Sequence, residues 1–243
     1  MNLQPKRALV TGGSGGIGAA ICRRLVAAGH FTYIHAHSNP DAASTLATEL
    51  RADGANASAV TFDVTDEAAT RLALNRLLED GPIQIVVNNA GIHDDAVFPG
   101  MNARQWHRVI DVSVNGFFNV TQPLMMPMIR TRWGRIVNIS SVSSLIGNRG
   151  QVNYSAAKGA VNSATRALAV EVASRGITVN AVAPGVIDTP ATRGVFDAEA
   201  IAKWVPMKRA GSTDEVASLV AFLVSDDAGY ITGQTISING GII

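Results

Sequence analysis

Seven short apolar runs alternate with longer stretches of helical periodicity along the chain, and no linker, low-complexity tract or short repeat interrupts them. A parallel sheet demands this rhythm, because each return to a parallel neighbour needs a long crossover, usually a helix lying on one face of the sheet. Strands are predicted at Arg7–Thr11, Phe31–His35, Ala57–Phe62, Ile83–Asn88, Arg135–Ile139, Thr178–Val182 and Thr235–Ile238. Helices are predicted near Gly16–Ala28, Pro40–Asp53, Glu67–Leu78, Ala103–Thr131, Gln151–Ser174 and Thr213–Val224. A short helical pattern near Ala198–Val205 lies within the otherwise irregular stretch from Pro184 to about Gly211. The expectation is one α/β domain over residues 1–243, a doubly wound seven-stranded parallel sheet with helices on both faces. Long irregular stretches are commonly functional, so residues 186–211 are expected to form a substrate lid.

Bulk properties narrow the function. A net charge of +1 lacks the basic excess of a nucleic-acid footprint. The single Cys22 sits on the apolar face of the first helix and reads as core packing; no cysteine cluster offers a zinc site, and no metal is expected. No apolar run approaches the ~20 residues of a membrane span, and Pro5-Lys6-Arg7 leads into the first strand without a signal region. A cytoplasmic protein with neither nucleic-acid nor membrane partners is expected.

The first strand–helix turn reads Thr11-Gly12-Gly13-Ser14-Gly15-Gly16-Ile17-Gly18. Glycines here let the backbone approach a pyrophosphate, and the helix start supplies amide donors. Gly12, Ser14, Gly16, Ile17 and Gly18 are thus candidates for dinucleotide binding. An acid ending the second strand would hold the ribose hydroxyls of NAD. This chain has Ala36-His37-Ser38-Asn39 instead, which leaves room and hydrogen bonds for a 2′-phosphate and favours NADPH over NADH. Asp63 and Val64 follow the third strand, where the adenine edge would lie, and Asn88-Asn89-Ala90-Gly91 ends the fourth. Each could be a plain turn, but they recur at the strand ends where open α/β sheets bind ligands.

Tyr154 and Lys158 are four residues apart on a predicted helix and so share a face. A phenol titrates near ~10 in water; a fixed ammonium nearby favours the phenolate and should lower that value, making Tyr154 a usable acid/base. A bare Tyr/Lys pair is more often an exposed helical tyrosine and a solvated lysine. Here Ser141 stands thirteen residues upstream, at the end of an apolar strand.

With these motifs in order, the chain resembles the short-chain dehydrogenase/reductase family over essentially its whole length. The resemblance rests on Thr11–Gly18, Asn88–Gly91, Ile139-Ser140-Ser141, Tyr154-Ser155-Ala156-Ala157-Lys158 and Pro184-Gly185-Val186-Ile187-Asp188-Thr189. It implies a Rossmann-type sheet and hydride transfer between a nicotinamide and a carbonyl or alcohol carbon. On matching positions it implies Tyr154 as proton donor, Lys158 on the nicotinamide ribose, and Ser141 on the substrate oxygen. Asn89, Ala90 and Gly91 would line the cofactor with Pro184 and Gly185; the Ile187 backbone and the Thr189 hydroxyl would hold the carboxamide. Many members carry a further catalytic Asn; Ser113 occupies that position here, and Asn115, about 200° further round an α-helix, should face away. Ser113 is carried as the candidate for binding a water in a proton relay. Gly15 stands where some NADPH-dependent relatives have Arg.

Within the family, Gly147–Tyr154, Val172–Asn180 and Tyr230–Gln234 are most similar to 3-oxoacyl-[acyl-carrier-protein] reductases, which implies a carrier-bound acyl substrate. An acidic carrier protein needs basic partners, and Arg132 and Arg175, with Arg130 beside them, are candidates for the site mouth; cations at helix C-termini are also ordinary. After Gly91 the chain runs Ile92-His93-Asp94-Asp95, where those reductases often have Thr-Arg-Asp. His93 is either a substrate contact or, more commonly for such a position, a surface histidine. Phe196, Trp204 and Met207 suit an apolar acyl chain or simple packing. A sugar or secondary-alcohol dehydrogenase and a non-catalytic dinucleotide sensor are the alternative readings. The small and apolar residues of the two long helices, and the Ile242-Ile243 tail, lead to expected self-association, and the resemblance implies a homotetramer.

Overall fold

The computed structural model describes residues 5–190, 192 and 197–243. Of the expected lid, residue 191 and residues 193–196, Phe196 among them, lie outside the described residues. Seven strands form one wholly parallel sheet: β1 (Arg7–Val10), β2 (Phe31–Ala36), β3 (Ala57–Thr61), β4 (Ile85–Asn88), β5 (Gly134–Ile139), β6 (Ile177–Pro184) and β7 (Thr235–Ile238). Their order is β3-β2-β1-β4-β5-β6-β7. The order reverses between β1 and β4, where a doubly wound sheet opens a crevice at its C-terminal edge.

The helices are α1 (Gly16–Ala27), α2 (Pro40–Ala52), α3 (Glu67–Glu79), α4 (Ala103–Ile110), α5 (Gly116–Thr131), α6 (Ser143–Ile146), α7 (Val152–Val172), α8 (Ala198–Trp204) and α9 (Thr213–Val224). Both sheet faces are covered, so consecutive strand residues enter opposite cores. Ala8 and Val10 pack with Ile21, Leu25, Val220 and Leu223. Leu9 between them packs with Leu74, Leu124, Met128 and Val179. Cys22 is fully buried in the first of these cores, as expected.

The long helix predicted over Ala103–Thr131 is instead interrupted. Asn102 opens α4 with a reciprocal capping box to Gln105, and a π-helical turn, Asp111–Asn115, separates α4 from α5. Wide turns of this kind concentrate at functional sites because they re-aim a side chain without ending the helix. Ser113 is turned inward and buried. Asn115 is exposed, its Nδ2 donating to Asp111 Oδ1 at 2.8 Å.

A buried polar chain joins the elements behind the crevice. Asn88 Nδ2 donates to Asn138 Oδ1 at 2.8 Å and to Thr121 Oγ1 at 2.9 Å, and Asn138 Nδ2 donates to Thr165 Oγ1 at 2.8 Å. It links β4, β5, α5 and α7, setting the helix that carries Tyr154 against the sheet. Inside a core such bonds are costly to leave unmade, which favours one packing arrangement.

Candidate active site

A cleft of about 1130 Å³ opens along the C-terminal ends of the strands. Gly12, Ser14, Gly16, Ile17, Gly18, His37, Ser38, Asp63, Val64, Asn89, Ala90 and Gly91 line it, together with Ser141, Tyr154, Lys158, Pro184, Gly185, Ile187 and Thr189. Of the residues singled out from sequence for catalysis or cofactor binding, only Ser113 is not on its wall.

The turn between β1 and α1 is built for close approach. Gly12 has φ +60°, and a Cβ on Gly18 would come 2.2 Å from the Gly12 carbonyl oxygen. Asn89 locks the same turn, its Nδ2 donating to Thr11 O at 2.9 Å and Gly12 O at 3.0 Å. Thr11 Oγ1 accepts from the backbone of Asn89 and Ala90 in return. Asn89 thus braces the cradle as well as lining the cleft. A second brace, which the sequence did not disclose, is His35 at the end of β2. The Gly12 N–H donates to its Nδ1 at 3.1 Å, while its Nε2–H donates to Phe62 O at 2.9 Å. Both bonds need the neutral ring, and burial pushes its pKa down to about 4. No periodicity marks a histidine that caps a turn twenty-three residues away.

At the far end of the cleft, His37 Nδ1 is 3.5 Å from Asp63 Oδ1. Burial would raise the Asp63 carboxyl, but bonds from the Thr65 N–H and hydroxyl, with His37 nearby, hold it below its ordinary value. No acid ends β2, and Asp63, after the neighbouring strand β3, stands beside His37 instead. Asn39 uses its Oδ1 to cap α2 through the Ala42 N–H at 3.2 Å. At the other end Thr189 is buried, and a Cβ on Gly16 would come 3.2 Å from it, so the loop carrying Thr189 closes directly over the Gly12–Gly18 turn. A glycine cradle, an amide-rich helix start and polar groups at both ends fit a dinucleotide.

Tyr154 and Lys158 face the middle of the cleft from one side of α7. Lys158 Nζ donates to Ile139 O at 2.8 Å and lies 5.7 Å from the centre of the Tyr154 ring. Gly91 leaves the room: a Cβ there would stand 3.2 Å from Nζ. Burial lowers the Lys158 pKa to about 8. The Tyr154 pKa moves opposite to the expectation. Burial raises it to about 12, with Asp95 adding to the rise and a hydrogen bond with Ser141 opposing it. Desolvation sets the direction for both groups, disfavouring the charged phenolate and the charged ammonium alike.

Ser113 stands behind Lys158 rather than in the cleft. Thr11, Asn88, Ser113, Lys158 and Val161 are among the lining of a separate cavity of about 10 Å³. Ser113 Oγ and Asn88 Oδ1 are buried without a hydrogen-bond partner among the described residues.

The loop after Gly91 is anchored to the start of α7. Ala96 N–H donates to Gly150 O at 2.9 Å, Asn153 Nδ2 to Asp94 O at 2.9 Å, and Gln151 Nε2 to Asp95 Oδ2 at 2.8 Å. His93 is thereby laid on the catalytic tyrosine, its ring 4.1 Å from that of Tyr154 at 31°. It lines the cleft as Trp204 does; the exposed Met207 does not. Arg132 and Arg175 are not at the mouth. They end α5 and the short helical turn after α7, at the N-terminal ends of β5 and β6, about 20 Å of strand from the cleft. Arg130 is on the last turn of α5 beside them. Arg132 is held there by its Nη2 donating to Ser174 O at 3.2 Å. The Ile242 tail lies against the chain itself, close enough that a Cβ on Gly185 would stand 3.1 Å from it.

A doubly wound sheet with a glycine cradle, and with a serine, a tyrosine and a lysine converging on one cleft, defines a dinucleotide-dependent oxidoreductase. The family model described as short chain dehydrogenase matches residues 6–200. A 3-oxoacyl-[acyl-carrier-protein] reductase FabG of Aggregatibacter actinomycetemcomitans is 47% identical over 237 residues, covering 96% of this chain and 98% of the relative. An acetoacetyl-CoA reductase of Rhizobium meliloti (strain 1021) is 47% identical over 238 residues, covering 96% and 97%. A nodulation protein G of Azospirillum brasilense is 42% identical over 243 residues, covering 99% of each. The chain belongs to the short-chain dehydrogenase/reductase family, and it is an oxidoreductase using a nicotinamide dinucleotide. Among the described residues, no helix is long and apolar enough to cross a membrane.

Proposed function

We propose that this protein reduces a 3-oxoacyl thioester to the 3-hydroxyacyl form with NADPH. The observation that carries the proposal is the convergence of Ser141, Tyr154 and Lys158 on the cleft that the glycine turn lines, in a chain 47% identical to a 3-oxoacyl-[acyl-carrier-protein] reductase; from there Tyr154 can give a proton to a developing alkoxide. When bound, the dinucleotide supplies the hydride. Ser141 holds the substrate oxygen where negative charge develops, Tyr154 delivers the proton to that oxygen, and Lys158 orients the nicotinamide ribose. Gly12, Gly16, Gly18 and Ser14 hold the pyrophosphate, His37 and Ser38 take the 2′-phosphate, and Ile187 and Thr189 hold the carboxamide.

The cavity behind Lys158 has about the size of one water. We assign it a water that bonds Ser113 Oγ, Asn88 Oδ1 and Lys158 Nζ, passing a proton to the lysine as Tyr154 is recharged. Ser113 on this reading positions the relay and does not touch substrate. The described part of residues 186–211 would cover the acyl chain, with Trp204 on the wall. Exposed Phe118 and Met126 on α5, and Val152 and Val170 on α7, support burial of these helices in a homotetramer. In such an assembly Arg132 and Arg175 would meet an acidic carrier protein that serves a neighbouring subunit's cleft.

The test is an NADPH-oxidation assay across acetoacetyl-carrier protein, acetoacetyl-CoA, simple ketones and sugars, repeated with NADH. Turnover of the thioesters well above the other substrates, with NADPH preferred, is expected. A preference for sugars or secondary alcohols overturns the substrate class, and a preference for NADH overturns the cofactor.

A further inference from the structure

The Tyr154 ring has a partner that proton delivery does not use. His93 stacks on it at 4.1 Å, on a loop tied to α7 by the bonds of Ala96, Asn153 and Gln151, so the two rings form one rigid stretch of wall. The tautomer of His93 follows from its neighbours. Gln151 Oε1 accepts from Ser143 Oγ and Asn148 Nδ2, both at 3.0 Å, which fixes the amide with Nε2 toward His93 and Asp95. That Nε2 donates to Asp95 Oδ2 at 2.8 Å and stands 3.5 Å from His93 Nδ1. Partial burial, with Lys158 acting in the same direction and Asp95 against it, lowers the His93 pKa and so favours the neutral ring, although more than half of the side chain stays exposed. Nδ1 faces the Gln151 amide at 3.5 Å and Asp95 Oδ1 at 3.8 Å; only the amide is within hydrogen-bond reach, and as a donor it leaves the proton on Nε2. Among the described residues, that N–H has no partner, and His93 lines the cleft beside Ser141 and Tyr154.

We propose that His93 Nε2–H is a specificity-determining donor that binds the thioester carbonyl of the substrate while Ser141 and Tyr154 hold its 3-oxo group. A 3-oxoacyl thioester carries two carbonyl oxygens one methylene apart, only a few ångströms from each other. The His93 and Tyr154 rings, 4.1 Å apart between their centres, set an imidazole and a phenol on the same wall of the cleft. A simple ketone, a sugar or a 4-oxoacyl thioester does not place a second carbonyl there. A cleft built to donate that bond selects against substrates that cannot accept it. This inference rests on the 3-oxoacyl thioester reading of the site.

The experiment compares kcat/KM for the acetoacetyl and 4-oxopentanoyl thioesters of N-acetylcysteamine in wild type, His93→Phe and His93→Gln. Phe keeps an aromatic stack without a donor, whereas Gln keeps a donor without the ring. In wild type the acetoacetyl thioester is preferred. In His93→Phe the ratio of the two constants should fall about tenfold, the loss of one hydrogen bond, with Gln recovering much of it. Equal losses on both substrates would mean that His93 only positions Tyr154, and unchanged constants on both would mean that it reads nothing; either overturns the inference. If wild type turns over neither thioester but does reduce sugars or plain ketones, the substrate reading fails and this inference with it. A ratio unmoved in a competent wild type sinks this inference alone.

Discussion

Lys158 Nζ lies 5.7 Å from the centre of the Tyr154 ring, yet the phenol holds its proton more tightly than in water. Both groups are buried, and burial drives the tyrosine toward its neutral form and the lysine toward losing its charge. The protein without its dinucleotide therefore stores the acid form of the pair. Tyr154→Phe removes the proton donor and leaves the cradle untouched. It should cut kcat by about 10²–10⁴ while dinucleotide affinity, followed by fluorescence titration, changes little.

Lys158 also costs the fold stability. Its pKa is about 8 in the folded chain against 10.5 ordinarily. Below pH 8 both folded and unfolded chains carry the charge, and the full burial penalty of roughly 3 kcal/mol applies. Between pH 8 and 10.5 the unfolded chain binds more protons, so stability rises with pH. Lys158→Met should abolish turnover yet raise Tm at pH 7 in the absence of dinucleotide, and should flatten the rise in alkali. A lower Tm for this variant at pH 7 would contradict the assignment.

His35 produces the opposite end of the pH profile. Its pKa is about 4 when folded against 6.5 ordinarily, and its charge would be felt by His37 and Asp63 nearby. The unfolded chain takes up the proton first, so stability is complete above pH 6.5 and is lost as pH falls toward 4, by up to roughly 3 kcal/mol. His35→Leu leaves the Gly12 N–H unpaired, at a cost of about 1–3 kcal/mol. It should remove this acid dependence from melting curves and weaken dinucleotide binding with it.

The relay assigned to Ser113 predicts that Ser113→Asn is tolerated, because the amide can still bond the relay water. Turnover should stay within roughly an order of magnitude of wild type. Collapse of kcat in a variant that still binds dinucleotide would remove Ser113 from the mechanism.

Two glycines of the same turn should respond in opposite ways. Gly18→Ala forces a methyl within 2.2 Å of the Gly12 carbonyl oxygen and should abolish dinucleotide binding. Gly15 has φ −81°, and a Cβ there would meet nothing closer than the Gly12 oxygen at 3.5 Å. Gly15→Arg should fold normally and raise the NADPH/NADH ratio of kcat/KM by adding a cation beside His37.

The seven strands, the glycine turn and the set of residues lining the cleft were legible in the chain, because each is written locally. Strand and helix periods show in a few consecutive residues, and Tyr154 and Lys158 share a face by helical spacing alone. The places where the reading failed are contacts between elements distant in sequence. The π turn that hides Ser113 is no more than a helical pattern until α4 and α5 are packed. His35 is an unremarked strand residue until Gly12 and Phe62 close on it, and His93, as exposed as its position suggested, gains its place on the cleft wall only when α7 brings Tyr154 beneath it. Arg132 and Arg175 matched a motif, but chain direction in a parallel sheet sends them to the end opposite the cleft. The phenol's proton was decided last, because burial is a property of the folded whole: spacing brought the ammonium near, and desolvation set the direction.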